Sequence, residues 1–210
     1  VTLPLIALTQ RVDIVLHANG PGERRDALDQ AWMRFLAAAG LRGVPIPNHV
    51  GTALALFNAL PIAGLVLTGG NDLTAYGGDA PERDATESAL LGVARARRLP
   101  VIGVCRGMQM LQHACGARLE AVQGHVVDQQ PLRTATGQRI VNSYHRMGSR
   151  ENARGLTPWA WSADGIIKAI RHETEQIVGI MWHPERLAPF AIEDLELFRS
   201  TLVSRRELAA

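Results

Sequence analysis

The sequence predicts an α/β fold, a mostly parallel sheet covered by helices on both faces with a small β-hairpin excursion late in the chain. Three observations predict it. Residues 3–9, 64–67, 101–104 and 176–182 are short apolar runs with the length and continuity of strands buried on both faces. Segments with helical period separate the earlier runs, which is the alternation of a parallel sheet. Glycine-rich or polar turns follow the strands, at the edge of such a sheet where ligands bind.

In order, residues 3–9 read as the first strand and 10–22 as a loop at its carboxyl end. Residues 23–39 place Leu28, Trp32, Phe35, Leu36 and Ala39 on one helical stripe, with Gly40 as C-cap. Residues 44–47 form a short extended piece, and 52–60 a second helix stopped by Pro61. The strand at 64–67 runs into Thr68-Gly69-Gly70-Asn71-Asp72, whose paired glycines let a ligand approach the backbone. Residues 79–84 read as a charged loop and 86–98 as a helix, and Pro100 opens the next strand. After Gly116 the pattern changes to extended pieces at 119–127 and 139–141, interrupted by the polar run Asn142-Ser143-Tyr144-His145. Ala163-Asp164-Gly165 is the turn of a hairpin, residues 176–182 a final strand, 191–203 a last helix and 205–210 a frayed tail. No repeat or linker interrupts the chain, so one domain over residues 1–210 is expected.

The 210 residues are 47% apolar and 20% charged, with a formal net charge of +2, ordinary values for a globular protein with a full core. Lys168 is the only lysine and no dense basic patch occurs, which argues against nucleic acid as a partner. No run of apolar residues is long enough to span a membrane, and the first residues do not read as a secretion signal. A cytoplasmic location is expected. The two cysteines, Cys105 and Cys115, lie on one predicted turn-and-helix and make an implausible disulfide. No metal pattern joins them to the histidines, and no dinucleotide fingerprint follows the first strand, so no cofactor is expected.

The chemistry centres on residues 101–114, VIGVCRGMQMLQHA. The apolar strand stops at Cys105, with Gly103 and Gly107 two residues away on each side, and a helical pattern follows. A thiol at such a strand–turn–helix junction stands near the positive end of a helix, which favours the nucleophilic thiolate. Backbone N–H groups there point at any developing negative charge. A small cysteine that simply fits a glycine-rich turn gives the same local pattern. His183 and Glu185 supply the rest. Residues two apart in extended backbone share a side, and Pro184 stiffens that geometry. Glu185 can then hold one nitrogen of His183 while the other faces Cys105, because both preceding strands end at the same rim. A solvated histidine and glutamate on a loop is the alternative.

Taken together, Gly103-Val-Cys105-Arg-Gly107-Met-Gln109, the Thr68-Gly-Gly70 turn and Trp182-His183-Pro-Glu185 resemble the class I glutamine amidotransferase superfamily. Cys105-Arg106, Asn142-Ser-Tyr-His145 and the segments at 23–29 and 44–48 are more similar to its gamma-glutamyl hydrolase branch. The resemblance implies a flavodoxin-like, doubly wound sheet and a Cys105–His183–Glu185 triad. It implies an oxyanion hole from the backbone N–H groups of Gly70 and Arg106. It places Gly69, Gln109, Asn142, Ser143, Tyr144 and His145 around the glutamyl group. The reaction it implies is hydrolysis of the γ-glutamyl amide of a small conjugate, releasing glutamate. A nucleotide phosphoramidate of surface-sugar biosynthesis is one candidate leaving group, with Arg11, Arg24, Arg25 and Arg106 as phosphate contacts. Two other outcomes stay open: a glutaminase subunit delivering ammonia to a separate synthase, and an inactive scaffold. Nothing in the sequence addresses the oligomeric state.

Overall fold

The computed structural model describes residues 3–18, 20 and 22–203. The chain runs β1 (Leu5–Leu8), β2 (Arg11–Val15), β3 (Glu23–Ala27), α1 (Ala31–Ala38), β4 (Arg42–Pro45), α2 (Val50–Ala59) and β5 (Ile62–Leu67). It continues with α3 (Pro81–Ala96), β6 (Val101–Val104), α4 (Arg106–Ala114), β7 (Glu120–Ala121), β8 (Val126–Thr134) and β9 (Gly137–Tyr144). It closes with β10 (Met147–Gly148), β11 (Leu156–Ser162), β12 (Ile167–His172), β13 (Ile177–Ile180) and α5 (Ile192–Leu202).

Nine strands form one sheet in the order β4-β1-β5-β6-β13-β12-β11-β8-β9. The first five of these run parallel, and the other four extend the sheet antiparallel from β13. The two-residue period of the strands sorts the core into two layers. Ala7, Leu65, Leu67 and Val101 face Phe57, Leu90, Leu91, Met108 and Leu111 of α2, α3 and α4. Ile6, Val66, Ile102 and Ile180 face Trp32, Phe35, Phe198 and Leu202 of α1 and α5. Phe35 and Phe198 meet edge to face, ring centroids 4.8 Å apart, and tie those two helices together. With both faces covered, the open rim at the carboxyl ends of the parallel strands is where side chains can converge.

The early part of the chain departs from the sequence reading. The expected loop at 10–22 contains β2, which pairs antiparallel with β3, and the helix expected from residue 23 begins only at Ala31. The exposed charges Glu23-Arg24-Arg25-Asp26 carry no apolar period to separate helix from strand, and cross-strand pairing decides for the ribbon. Asp29 Oδ1 accepts from Ala31 N at 2.9 Å and marks where the helix starts. The charged loop at 79–84 is largely the first turn of α3, with Pro81 at its start and Glu82 and Asp84 against its positive end. The polar run 142–144 belongs to β9 rather than interrupting it. The hairpin is present as β11 and β12. The tail at 205–210 lies outside the described residues. No described helix is long and apolar enough to cross a membrane.

Candidate active site

Strand β6 ends at Cys105, which takes φ 53° and ψ −109°. A non-glycine residue reaches that region only when its surroundings dictate it. Here they do. A Cβ on Gly107 would lie 2.0 Å from the carbonyl oxygen of Leu67, so only glycine lets α4 start this close to β5. Cys105 N donates to Ile180 O at 2.8 Å, and Gln109 N donates to Cys105 O at 3.1 Å, so the elbow is bonded to β13 behind it and to α4 ahead.

The parallel register Ile180↔Val104 places the ends of β13 and β6 side by side. His183 follows β13 and is 2% exposed. Its Nδ1–H donates to Glu185 Oε1 at 2.8 Å, and Nε2 is left for the cysteine side. Burial opposes a charged ring here, but Cys105 and then Glu185 outweigh it and push the His183 pKa up to about 9. The peptide of His183 is clamped as well. Asn142 Oδ1 accepts from His183 N at 2.7 Å, and Asn142 Nδ2 donates to His183 O at 2.8 Å. The Gly69-Gly70 turn closes over the ring. A Cβ on Gly69 would meet His183 Cε1 at 2.5 Å, and Gly70 takes φ +90°.

A buried ion cluster holds this turn and the elbow together. Arg83 donates to Gly70 O at 2.5 Å, Thr68 O at 2.7 Å and Glu87 Oε1 at 2.9 Å. Arg106 pairs with Glu87 and Asp84. Glu87 thus bridges the two guanidinium groups. Burial alone would raise its pKa, but Arg106 and Arg83 hold it below the usual carboxylate value.

Cys105, His183, Gly70 and Gln109 all open into one cleft of about 580 Å³. Tyr144, His145, Asp72, Asp79, Arg146 and Arg186 also line it. A thiol beside a buried imidazole, itself held by a carboxylate, is an arrangement suited to acyl transfer. The Peptidase C26 family profile matches residues 4–133 and 120–185.

The chain belongs to the Peptidase C26 family. Its curated relatives agree. It is 27% identical over 184 residues to the gamma-glutamyl-CDP-amidate hydrolase of Campylobacter jejuni, covering 86% of this chain and 90% of that protein. It is 24% identical over 204 residues to the gamma-glutamyl-gamma-aminobutyrate hydrolase of Escherichia coli O157:H7, covering 78% and 80%. Among solved structures, a glutamine amidotransferase from Thermotoga maritima superposes with a TM-score of 0.65 over 99% of this chain and 89% of that one, at 15% identity, a likeness of fold. As a member of Peptidase C26 with such relatives, the protein is a hydrolase acting on amide bonds.

Within this Peptidase C26 chain the residues singled out from the sequence separate into groups. Cys105, His183, Glu185, Gly69, Gly70 and Gln109 come together at the rim. Asn142 and Ser143 are buried and bonded to backbone, Asn142 to His183 and Ser143 to His125 O, so neither faces the cleft. Arg106 presents its backbone to the cleft, but its guanidinium is buried with Glu87 and Asp84 and is not a free anion contact. Arg11 pairs with Asp13, Arg24 with Glu82 and Arg25 with Glu23, and none of these three lines the main cleft. Sequence reasoning missed Arg83, Glu87, Arg146, Arg186 and the Lys168 contacts described below. The i,i+4 spacing of Arg83 and Glu87 was the one local signal among them.

Proposed function

We propose that this hydrolase cleaves a γ-glutamyl amide whose leaving group is anionic, of the kind a nucleotide phosphoramidate presents. The observation that carries the reading is the strained Cys105 elbow opening into the same cleft as the His183–Glu185 pair. Cys105 gives its proton to His183 and attacks the γ-carbonyl carbon, and the N–H groups of Gly70 and Arg106 receive the oxyanion. His183 protonates the departing nitrogen, leaving a γ-glutamyl thioester on Cys105. Water then gives its proton to His183, attacks the thioester, and releases glutamate with the thiol restored. The relative named for γ-glutamyl-CDP-amidate supports the leaving group, as does the chemistry of the cleft. Arg146 and Arg186 line it; among the described residues Arg146 has no carboxylate partner, and Arg186 Nε lies 3.7 Å from Glu185 Oε1, longer than a hydrogen bond. Arg186 lies over the Tyr144 ring, 5.3 Å from its centroid, which holds the guanidinium at the cleft.

Glutamate release from a panel of γ-glutamyl compounds, with the thioester trapped by mass spectrometry, tests the reaction. Activity confined to glutamine and dependent on an added synthase would replace it with the amidotransferase reading. Arg146→Gln and Arg186→Gln are each expected to raise KM for a γ-glutamyl phosphoramidate by about tenfold, the loss of one charge-assisted contact. KM for a γ-glutamyl conjugate of a neutral amine stays unchanged in the same variants. A rise for both substrates would assign the arginines to the glutamyl group instead. The imidazolium form of His183, which donates the proton, prevails below a pKa of about 9 and declines above it. Acylation rates in single-turnover experiments are therefore expected to hold up to about pH 9 and to fall about tenfold per further pH unit.

A further inference from the structure

The only lysine of the chain is 1% exposed and lies on β12, behind the cleft wall. Its three donors are all used. Lys168 Nζ donates to Gln130 Oε1 at 2.5 Å, to Ser143 Oγ at 3.1 Å and to His145 Nε2. A carbonyl oxygen only accepts, so His145 carries its proton on Nδ1, which faces Met147 O, and accepts from Lys168 at Nε2. That proton is donated to Met147 O at 2.8 Å. The same carbonyl accepts Gln109 Nε2 at 2.9 Å. A carbonyl offers two lone pairs, and both are now taken. Gln109 must turn its amide nitrogen toward Met147, which leaves Oε1 as the acceptor on the side of the cleft that Gln109 lines. Both nitrogens of His145 are engaged inside the protein, so this ring presents carbon rather than a hydrogen bond to the cleft.

We propose that Lys168 is a positioning residue for the glutamyl pocket: through His145 and Met147 O it sets the amide of Gln109 so that Oε1 receives the α-ammonium of the substrate's γ-glutamyl group. The inference rests on the γ-glutamyl reading above. The network behind it is closed on the far side. Gln130 Nε2 donates to His125 Nδ1 at 3.0 Å, and His125 Nε2 then donates to Asp164 at 3.1 Å. Burial, and then the charge of Lys168, push the His145 pKa down to about 3, so its neutral state persists across the working range. Burial lowers Lys168 itself to about 7, against the opposing pull of Cys105 and Asp164. The partners of Nζ are all neutral groups.

Lys168→Met keeps the length of the side chain and removes all three donors. It is expected to raise KM about tenfold for every γ-glutamyl substrate, whatever the leaving group, with kcat changed less than threefold. A residue that only supports the fold would not split KM from kcat in this way. In the same variant the His145 ring, followed by NMR, is expected to titrate at a higher pH than in the parent protein, because the charge of Lys168 is gone while the burial stays. If Lys168→Met does not fold, His145→Asn keeps the other two acceptors of Lys168 and is expected to give the same KM rise. An unchanged KM in whichever variant folds overturns the inference. So does an unmoved His145 titration in Lys168→Met. Because the titration needs no substrate and the parent enzyme is assayed in parallel, these outcomes are distinct from a parent that turns over no γ-glutamyl amide, which would overturn the reading beneath.

Discussion

Cys105→Ala is expected to lower hydrolysis of γ-glutamyl amides by about 10⁴-fold or more, the scale on which nucleophile removal acts in hydrolases of this design. The oxyanion donors and the cleft survive the change, so substrate still binds and KM moves little. Stability also moves little. Alanine inherits the same φ of 53°, which is imposed by the packing of Gly107 on Leu67 and the hydrogen bond to Ile180 rather than by the cysteine. A thermal melt within a few degrees of the parent, with loss of the trapped thioester, is the expected pair of results. Turnover that persists in Cys105→Ala would remove the sulfur from the mechanism altogether.

The largest effect on stability is expected at Glu87. This carboxylate is fully buried between Arg83 and Arg106, whose side chains are equally withdrawn from solvent. Glu87→Ala leaves two guanidinium groups in the interior with one counter-charge, Asp84, bonded to Arg106 alone. Breaking a buried pair from one side typically costs about 3–5 kcal/mol, because the remaining charge is desolvated without compensation. Urea unfolding should register that loss as a lower midpoint at an unchanged slope. Activity should fall with it, since Arg83 holds the carbonyls of Gly70 and Thr68 and so fixes the turn that presents the Gly70 N–H. A destabilisation under about 1 kcal/mol would mean that water reaches the cluster and solvates it.

The legible features were those with a local signature. The apolar run 101–104, ending at a Cys105 flanked by Gly103 and Gly107, signalled the strand and its turn, and His183-Pro184-Glu185 signalled the His183–Glu185 hydrogen bond, because each is written within a few residues. The parallel half of the sheet followed from the same apolar runs. What escaped is long-range. The β2–β3 ribbon depends on strands joined across a polar stretch with no period of its own. Glu87 meets Arg106 across 19 positions, and Lys168 meets Gln130 across 38. Neither separation leaves a pattern in the chain. The resemblance puts Asn142 in the pocket segment, and the side-chain amide bonds the backbone of His183, a partner no spacing in the sequence announces.

Strand β13, which leads into His183, is the last of the described strands in chain order, yet it lies between β6 and β12. Until residues 177–180 are in place, the edge of β6 that β13 covers has no partner strand. Until then Cys105 lacks both the imidazole that shares its cleft and the Ile180 carbonyl that anchors its turn. The turn at Cys105 is therefore completed from behind by a late part of the chain, and the strands made earlier do not suffice to build it.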